Sequence, residues 1–329
     1  MTKPLKMRLV ARYRCSPTIH PHLGQPTMPA SLHSSDDMRD LQILQKSLNA
    51  FASSPLTFQI LRTIPFPHPS SSRQPKALYI LDSSFNPPTR AHLRICTSAL
   101  LHDKATTVPK RLLLLLATQN ADKAPKPAAF EHRLAMMNVF AEELIQMVTT
   151  SDKKEDTLGD VIVDVGVTKE ARFIDKARIL EAQEEYTGAV KDDTAKPVEQ
   201  VHLIGFDTLI RLLDTKYYPP KHTLDPLDDL FEKHRFRVTR RTDDAWGGRE
   251  EQDQYVRKIT EGGREVDGPR KEWAQRIDLV EGREEGEEIV SSTKVREAAE
   301  AGDEEALKRL VTDGVARWIL DEKLYLEAG

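Results

Sequence analysis

The stretch of sequence that decides the fold is Asp82-Ser83-Ser84-Phe85-Asn86-Pro87-Pro88-Thr89-Arg90-Ala91-His92-Leu93. It follows a short apolar run at 77–81 and leads into a helical pattern at 91–101. In an open α/β sheet, ligands bind beyond the carboxyl ends of the strands, where helix N-termini present free N–H groups to anions. Thr89 and His92 are three residues apart, so a helix places both side chains on one face. The stretch therefore predicts a phosphate site that contains a hydroxyl and an imidazole.

Short apolar runs and helical patterns alternate along the rest of the chain. The later predicted strands are 111–117, 161–167, 201–205, 236–239 and 276–280, and a long helix is predicted at 130–147. Apolar strands that alternate with helices predict a parallel sheet covered on both faces, so the fold class is α/β and Rossmann-like. The dinucleotide-binding pattern Gly-x-Gly-x-x-Gly is absent. Asp164 alternates with apolar residues in its strand, and we expect its side chain on the solvent side.

A second segment suited to phosphate binding lies near the other end of the chain, as Ile289-Val290-Ser291-Ser292-Thr293-Lys294-Val295-Arg296. Ser and Thr at a helix start cap the helix and also offer hydroxyl and N–H groups to an anion. Lys294 and Arg296 add positive charge within one turn, and an arginine can bind two phosphate oxygens at once. Each segment alone is better explained as an ordinary capped helix with exposed polar residues than as a phosphate site.

Composition excludes several classes of protein. The chain has 329 residues, of which 39% are apolar, which is enough for one large α/β domain or for two domains. The net charge of −4, from 48 basic and 52 acidic residues, is too balanced for a general nucleic-acid or membrane-surface binder. The longest apolar run, 112–117, is far shorter than the ~20 residues that span a bilayer. Two cysteines exclude a disulfide scaffold and favour a reducing compartment.

The chain divides into three parts by composition. Residues 1–36 form a basic tail or a targeting segment, because 1–35 contain no Asp or Glu and resemble a mitochondrial transit peptide in composition. Residues 37–75 comprise an amphipathic helix at 37–51 and a Pro/Ser-rich connector. The catalytic domain is predicted at 76–329, with a charge-dense insertion at 243–288 that we interpret as solvated and without chemistry.

The two phosphate segments together, at opposite ends of the chain, resemble the motifs of the nucleotidylyltransferase superfamily. The first is similar to its Gly-Ser/Thr-Phe-Asn/Asp-Pro-x-Thr/His-x-x-His motif, and the second is similar to its closing Ile-Ser-Ser-Thr-x-x-Arg motif. Within that superfamily the chain looks most like the nicotinamide mononucleotide adenylyltransferases, especially fungal forms. The resemblance implies the Rossmann-like nucleotidylyltransferase fold, with helices on both faces of a parallel sheet and a C-terminal helical segment.

The resemblance also implies roles for the matching residues. Those implied in catalysis are His92, Thr89, Lys123 and Arg296. Those implied in nucleotide binding are Ser84, Phe85, Asn86, Gly205, Asp207, Arg240, Ser292 and Thr293. In this assignment His92 donates to the α/β-phosphate region, the closing motif holds the β/γ-phosphates, and Mg²⁺ comes with ATP and has few direct protein ligands.

The activity implied is transfer of AMP from ATP to nicotinamide or nicotinic acid mononucleotide, which gives a dinucleotide and pyrophosphate. The expected partners are ATP and the mononucleotide, without nucleic acid or membrane. The expected compartment is the cytoplasm or nucleus, or the mitochondrion if 1–35 is a transit peptide. Whether the chain forms an oligomer stays open.

Two departures from the family pattern leave alternatives open. Ser83 stands where the family usually has glycine, and its β-carbon narrows the approach of a phosphate to the backbone. The Trp that stacks on the nicotinamide ring in animal forms has no clear match, and the candidates to replace it are Phe173 and the region of Trp246. The alternatives are transfer to another acceptor, such as phosphopantetheine, a flavin mononucleotide or glycerol phosphate, or a nucleotide-binding regulator that has lost turnover.

Overall fold

The computed structural model describes residues 34–65, 75–103, 110–118, 128–150, 161–187, 198–241, 246–283 and 286–326. The basic tail was predicted at 1–36, of which 1–33 lie outside the described residues and 34–36 begin the first helix. Lys123, predicted to be catalytic, also lies outside the described residues. None of the helices in these ranges is long and apolar enough to cross a membrane.

The described residues contain seven strands and eleven α-helices in one chain of alternating elements. The strands are β1 (Phe58–Ile64), β2 (Ala77–Asp82), β3 (Arg111–Ala117), β4 (Ile162–Thr168), β5 (Glu199–Gly205), β6 (Arg235–Thr239) and β7 (Ile277–Val280). The helices are α1 (Ser34–Ser53), α2 (Arg90–His102), α3 (Phe130–Thr150), α4 (Phe173–Glu181), α5 (Glu184–Thr187), α6 (Phe206–Leu212), α7 (Asp228–Lys233), α8 (Arg249–Thr260), α9 (Ser292–Glu300), α10 (Glu304–Leu310) and α11 (Asp313–Asp321).

All seven strands form one sheet in the order β1-β4-β3-β2-β5-β6-β7. Every neighbouring pair is parallel except β1 and β4, which are antiparallel. The predicted parallel sheet is therefore confirmed, and β1 is an edge strand that the sequence analysis did not predict.

Both faces of the sheet are covered, which explains why its strands read as continuous apolar runs. In β2, Tyr79 and Leu81 belong to the large core on one side, whereas Leu78 and Ile80 pack in a separate cluster on the other. The large core also contains buried residues of α2, α3, α9, α10 and α11. The opposite cluster includes Leu180 of α4 and Tyr186 of α5. The helices on both faces and the helical C-terminal segment are as expected.

The strand order reverses between β2 and β5, which makes this place a topological switch point. From β2 the chain adds β3 and β4 on one side, and it then returns to add β5, β6 and β7 on the other. At such a point the loops after the two central strands run in opposite directions and leave a crevice beyond their carboxyl ends. The stretch 82–93 follows β2 and thus lies at this crevice.

The N-terminal segment shares the core of the sheet, although the sequence analysis placed the start of the catalytic domain near residue 76. Phe51 of α1 is 1% exposed and packs in the large core. Phe58 and Ile64, at the two ends of β1, are also buried. Because β1 completes the sheet and α1 packs on α3, residues 41–64 contribute to the same core as the rest of the chain.

The insertion at 243–288 is less solvated than its composition suggested. Trp273 is buried and stacks on Phe231, with ring centroids 4.5 Å apart and planes 5° from parallel. Ile259 and Gln252 of α8 are both fully buried. The insertion therefore packs on the sheet through an apolar face and presents its charges on the other side.

Candidate functional site

Two cavities lie at the carboxyl ends of β2 and β5. The first has a volume of about 280 Å³, and its lining includes His92, Gly205, Arg240 and Ser292. The first cavity thus joins residues from both predicted phosphate segments and from the ends of β5 and β6.

The second cavity, of about 410 Å³, has a basic and partly aromatic lining. Its basic residues are Arg172, Lys176, Arg211 and Arg241, and its acidic residues are Asp82 and Asp207. The aromatic rings of Phe173, Tyr217 and Tyr218 also line it. An excess of positive charge next to flat apolar rings suits a phosphorylated compound with an aromatic ring.

The two cavities share a wall, which we call the seam. It is formed by the four residues that line both cavities: Asp82, Ser83, Thr208 and Arg241. Two ligands that occupy the cavities would meet at the seam. Proximity of this kind is what a transfer reaction between two bound substrates requires.

His92 lies in the first turn of α2 and is held there by the helix cap. The Thr89 hydroxyl caps the helix, and the Thr89 backbone N–H donates to His92 Nδ1 at 3.0 Å. The other ring nitrogen, Nε2, lies 3.0 Å from the Ser83 hydroxyl oxygen. Burial, followed by the nearby positive charge of Arg241, lowers the pKa of His92 to about 4. The imidazole is therefore neutral near pH 7.

The two predicted phosphate segments meet in space. Ser292 Oγ donates to the carbonyl oxygen of Pro87 at 2.9 Å, and Arg296 Nη1 donates to the carbonyl oxygen of Asn86 at 2.9 Å. The Tyr325 hydroxyl donates to Asn86 Oδ1 at 3.0 Å from the end of the chain. These contacts fix the loop that precedes α2.

Gly205, Asp207 and Arg241 form a close group at the seam. Asp207 Oδ1 accepts from Arg241 Nε at 2.7 Å, and Asp207 Oδ2 accepts from Arg211 Nη2 at 3.0 Å. A β-carbon added to Gly205 would lie 2.5 Å from Asp207 Oδ1 and 3.3 Å from Arg241 Nε. A β-carbon at position 205 would therefore displace the Asp207 carboxylate from its present position in the ion pair.

Of the predicted site residues in the described ranges, several line a cavity. Thr89, His92, Gly205, Arg240 and Ser292 line the first cavity, and Ser84 and Asp207 line the second. Phe85, Asn86, Thr293 and Arg296 line neither of the two. Arg296 instead binds Asn86 and donates to Thr293 Oγ1 at 3.1 Å, beside the first cavity.

Arg240, predicted to meet phosphate, is engaged by acidic residues of the insertion. Its guanidinium pairs with Asp253 of α8 and, at 2.8 Å, with Glu281. The neighbouring Arg241 is 44% exposed at its side chain and faces both cavities. Two consecutive arginines at a strand end give no sign in the sequence of which one enters the site, and the prediction named Arg240 rather than Arg241.

Two carboxylates line the second cavity, and the partners that they already have limit how they could hold a metal ion. Asp82 is paired with Lys176, and Asp207 is paired with Arg211 and Arg241. Among the described residues no group of three or more His, Cys, Asp or Glu could hold a metal ion. Paired carboxylates of this kind fit a Mg²⁺ that is carried by the phosphate oxygens of its nucleotide and by water.

Comparison with known proteins gives one informative relative. The chain is 34% identical over 238 residues to a Schizosaccharomyces pombe protein provisionally named a nicotinamide mononucleotide adenylyltransferase. The aligned residues cover 72% of this chain and 81% of the relative. No family model matches the chain.

Solved structures give only distant similarities. Plasmodium falciparum nicotinic acid mononucleotide adenylyltransferase complexed with NaAD has 13% identity and a TM-score of 0.45, over 76% of this chain and 97% of that one. The same enzyme complexed with APC has 12% identity and a TM-score of 0.43, over 77% of this chain and 98% of that one.

Proposed function

This chain belongs to the family of nicotinamide mononucleotide adenylyltransferases, and from that premise we propose how its two cavities carry out the reaction. In this proposal the first cavity holds MgATP and the second holds nicotinamide or nicotinic acid mononucleotide. The chain is a nucleotidyltransferase of NAD biosynthesis: AMP passes from ATP to the mononucleotide, and pyrophosphate leaves.

The observation that carries this proposal is the seam. The first cavity has His92 and Ser292, from the two phosphate segments, in its lining, as a triphosphate requires. The second cavity has the basic and aromatic lining that suits a mononucleotide with a pyridine ring. Since Ser83 and Arg241 belong to both cavities, the two phosphate groups would meet beside them.

The proposed reaction is a single in-line displacement. An oxygen of the mononucleotide 5′-phosphate forms a bond to the α-phosphorus of ATP, and the bond between that phosphorus and the oxygen that bridges to the β-phosphate breaks. The electron pair of the broken bond stays on pyrophosphate, and no covalent enzyme intermediate is needed. The protein must hold two polyanions together and stabilise negative charge on the leaving oxygens.

Two oriented cations support the first of these tasks, Arg241 in the seam and Lys176 in the second cavity. Arg241 is held by Asp207, and Lys176 is held by Asp82, so both cations are oriented before a substrate binds. Preorganised donors need little rearrangement during the reaction and therefore lower its barrier efficiently. The neutral imidazole of His92 adds a donor without a permanent charge.

Phe173 is the residue that we propose to contact the pyridine ring. It lines the second cavity, and its own ring is fixed by edge contacts to His202 and Phe236, with centroids 5.7 and 6.4 Å away. Trp246, the other candidate, packs against the same apolar cluster as Phe173 but lines neither of the two cavities. A fixed aromatic ring can replace the missing Trp as a stacking surface.

The test is to incubate the purified full chain with MgATP and each mononucleotide, and to measure the dinucleotide and pyrophosphate separately. We expect both products in equal amounts with at least one of the two mononucleotides. Phosphopantetheine, flavin mononucleotide and glycerol phosphate serve as competing acceptors under the same conditions. Product with one of these instead would keep the adenylyl transfer and replace the acceptor.

ATP binding without pyrophosphate release for any acceptor would overturn the proposal and favour a nucleotide-binding regulator. Binding is measured by calorimetry on the same preparation. Phe173→Ala provides a matched variant for the acceptor site, because it removes a ring from the second cavity only. We expect it to raise KM for the mononucleotide about tenfold, equivalent to ~1.4 kcal/mol, and to change KM for ATP much less.

A further inference from the structure

Ser83 occupies a position at the seam that brings its hydroxyl against His92. It directly follows the buried end of β2, and its backbone N–H donates to the carbonyl oxygen of Leu115 at 3.2 Å. Its hydroxyl oxygen lies 3.0 Å from His92 Nε2. Ser83 lines both cavities, whereas His92 lines the first and not the second.

The hydrogen bonds around His92 determine which atom carries the ring proton. A backbone N–H can only donate, and that of Thr89 points at Nδ1 from 3.0 Å. Nδ1 therefore accepts and bears no hydrogen in the neutral ring, so the proton is on Nε2. Nε2–H then faces the Ser83 oxygen, which must accept this hydrogen bond.

A serine hydroxyl that accepts one hydrogen bond still has its own hydrogen to donate. Within the described ranges, the hydroxyl of Ser83 has no recorded partner other than His92. Its hydrogen is thus available to an anion at the seam. A donor that is itself hydrogen-bonded to another donor is polarised and binds an anion more strongly.

We propose that Ser83 is a catalytic residue, whose hydroxyl donates to the phosphate oxygens at the seam and relays the hydrogen bond of His92 Nε2–H to them. The proposal rests on the function proposed above and deepens it. The O–H and N–H bonds stay intact throughout: the chemical change is still one P–O bond formed and one broken. The two side chains stabilise the charge that grows on the α-phosphate and its leaving oxygen as one unit.

The relay also gives a reason for a β-carbon where the family usually has glycine. With glycine at position 83, a phosphate oxygen could approach Nε2 directly. With Ser83 the hydroxyl fills that place and reaches the wall of the second cavity, which His92 itself does not line.

A double-mutant cycle tests the relay on the full chain with MgATP and the productive mononucleotide. The variants are Ser83→Ala, His92→Ala and the double variant, each measured for kcat and for both KM values. We expect Ser83→Ala to lower kcat on the order of 10–10² fold and His92→Ala to lower it on the order of 10²–10⁴ fold. Because the two act as one unit, the double variant should be no slower than His92→Ala by more than about threefold.

Two further variants keep the result interpretable. Ser83→Gly removes the β-carbon together with the hydroxyl and lets phosphate reach Nε2, so we expect it to be faster than Ser83→Ala. Ser47→Ala removes a hydroxyl that bonds to Ile43 O inside α1, far from the seam in the chain, and should match the wild type. Circular dichroism spectra identify any variant that fails to fold.

Two results would overturn the relay. One is a Ser83→Ala variant with the kcat of the wild type, which would mean that the hydroxyl does not contact the reacting phosphates. The other is a double variant whose loss is the product of the two single losses, which would mean that the side chains act independently. If the wild-type chain forms no dinucleotide, the proposed function itself is wrong, and the relay is then excluded as well.

Discussion

The side chain of Gln252 binds both backbone polar groups of Arg241. The Arg241 N–H donates to Gln252 Oε1 at 3.1 Å, and Gln252 Nε2 donates to the Arg241 carbonyl oxygen at 2.6 Å and to that of Gly247 at 3.0 Å. Gln252 is fully buried in α8. The insertion therefore sets the backbone from which a seam guanidinium projects, although α8 itself lines neither of the two cavities.

Replacing Gln252 should therefore affect both stability and turnover. Gln252→Met keeps the side-chain length but leaves the N–H and the carbonyl of Arg241 without these partners, which costs about 1–3 kcal/mol for a buried polar group. We expect the free energy of unfolding in urea to fall by that amount and kcat to fall on the order of tenfold. Gln252→Glu keeps the acceptor for the Arg241 N–H but turns an acceptor oxygen towards the carbonyl oxygens of Arg241 and Gly247, so it should also lose stability and kcat.

The matched control for this prediction is Gln254→Met on the exposed side of the same helix. Gln254→Met should leave the free energy of unfolding and kcat unchanged. A Gln252→Met protein that loses stability but keeps the wild-type kcat would show that the insertion supports the fold without positioning Arg241.

Gly205→Ala should disturb the Asp207–Arg241 pair through a single added methyl group. The new carbon would lie 2.5 Å from Asp207 Oδ1, so the carboxylate must move. We expect kcat/KM for ATP to fall on the order of tenfold, with little change in the free energy of unfolding, because the methyl group meets only the ends of the Asp207 and Arg241 side chains. Gly263→Ala is the control, because its new carbon would have ordinary room, with Lys258 O at 3.4 Å. Unchanged steady-state kinetics of Gly205→Ala would argue against a role for this pair.

Arg296→Lys should weaken the link between the two phosphate segments. The guanidinium spans Asn86 O and Thr293 Oγ1 with two different nitrogens, at 2.9 and 3.1 Å, and a lysine has only one nitrogen to offer. We expect KM for ATP to rise about tenfold, or ~1.4 kcal/mol, with a smaller change for the mononucleotide. Arg317→Lys on the exposed side of α11 should behave as the wild type. Equal increases in both KM values would place Arg296 outside the ATP site.

The pH dependence of stability should report the burial of His92. Its pKa of about 4 in the folded chain is below the ordinary value of 6.5, so between these values the unfolded chain binds more protons. The free energy of unfolding should therefore decrease as the pH falls from about 6.5 towards 4, and it should lose nothing from this group above that range. His202, with a pKa lowered to about 3 by burial, contributes in the same direction.

The variant His92→Gln separates the contribution of His92 to the pH dependence of stability from that of His202. Urea unfolding at a series of pH values should give a shallower decrease for the variant between pH 6.5 and 4, while the wild-type and variant profiles run parallel above pH 7. Profiles that run parallel over the whole range would contradict a depressed pKa for His92.

The central strands were predictable because both of their faces are buried. The strand β3 was expected at 111–117 and is observed there, and β2 differs from its expected range by one residue. A strand that is covered on both sides is apolar at most of its positions, and this pattern is visible without knowledge of any partner.

Contacts between distant parts of the chain were not predictable in the same way. Asp164 was expected on the solvent side, which is wrong: it is fully buried and accepts hydrogen bonds from Arg111 Nε at 2.6 Å, Tyr186 OH at 3.2 Å and Thr63 Oγ1 at 2.7 Å. Alternation identifies the two faces of a strand but not what covers each face. The buried Gln252 was missed for the same reason, since its neighbours in sequence are charged.

The site could be predicted to the level of its segments. Two motifs from opposite ends of the chain do meet at one crevice, because parallel strands gather the loops that follow them at one edge of the sheet. The sequence singled out Ser83 but could not show that Ser83 and Arg241 line two adjacent cavities, because that depends on contacts between distant parts of the chain.

The antiparallel strand at the margin has a practical consequence for anyone who shortens this protein. Without β1, the edge of β4 would carry open backbone donors and acceptors along a strand that is otherwise buried at every position. Exposed edges of this kind recruit other chains and lead to aggregation. An expression plasmid that begins at the Pro/Ser-rich connector should therefore yield inclusion bodies, whereas one that retains α1 and β1 should yield dispersed material.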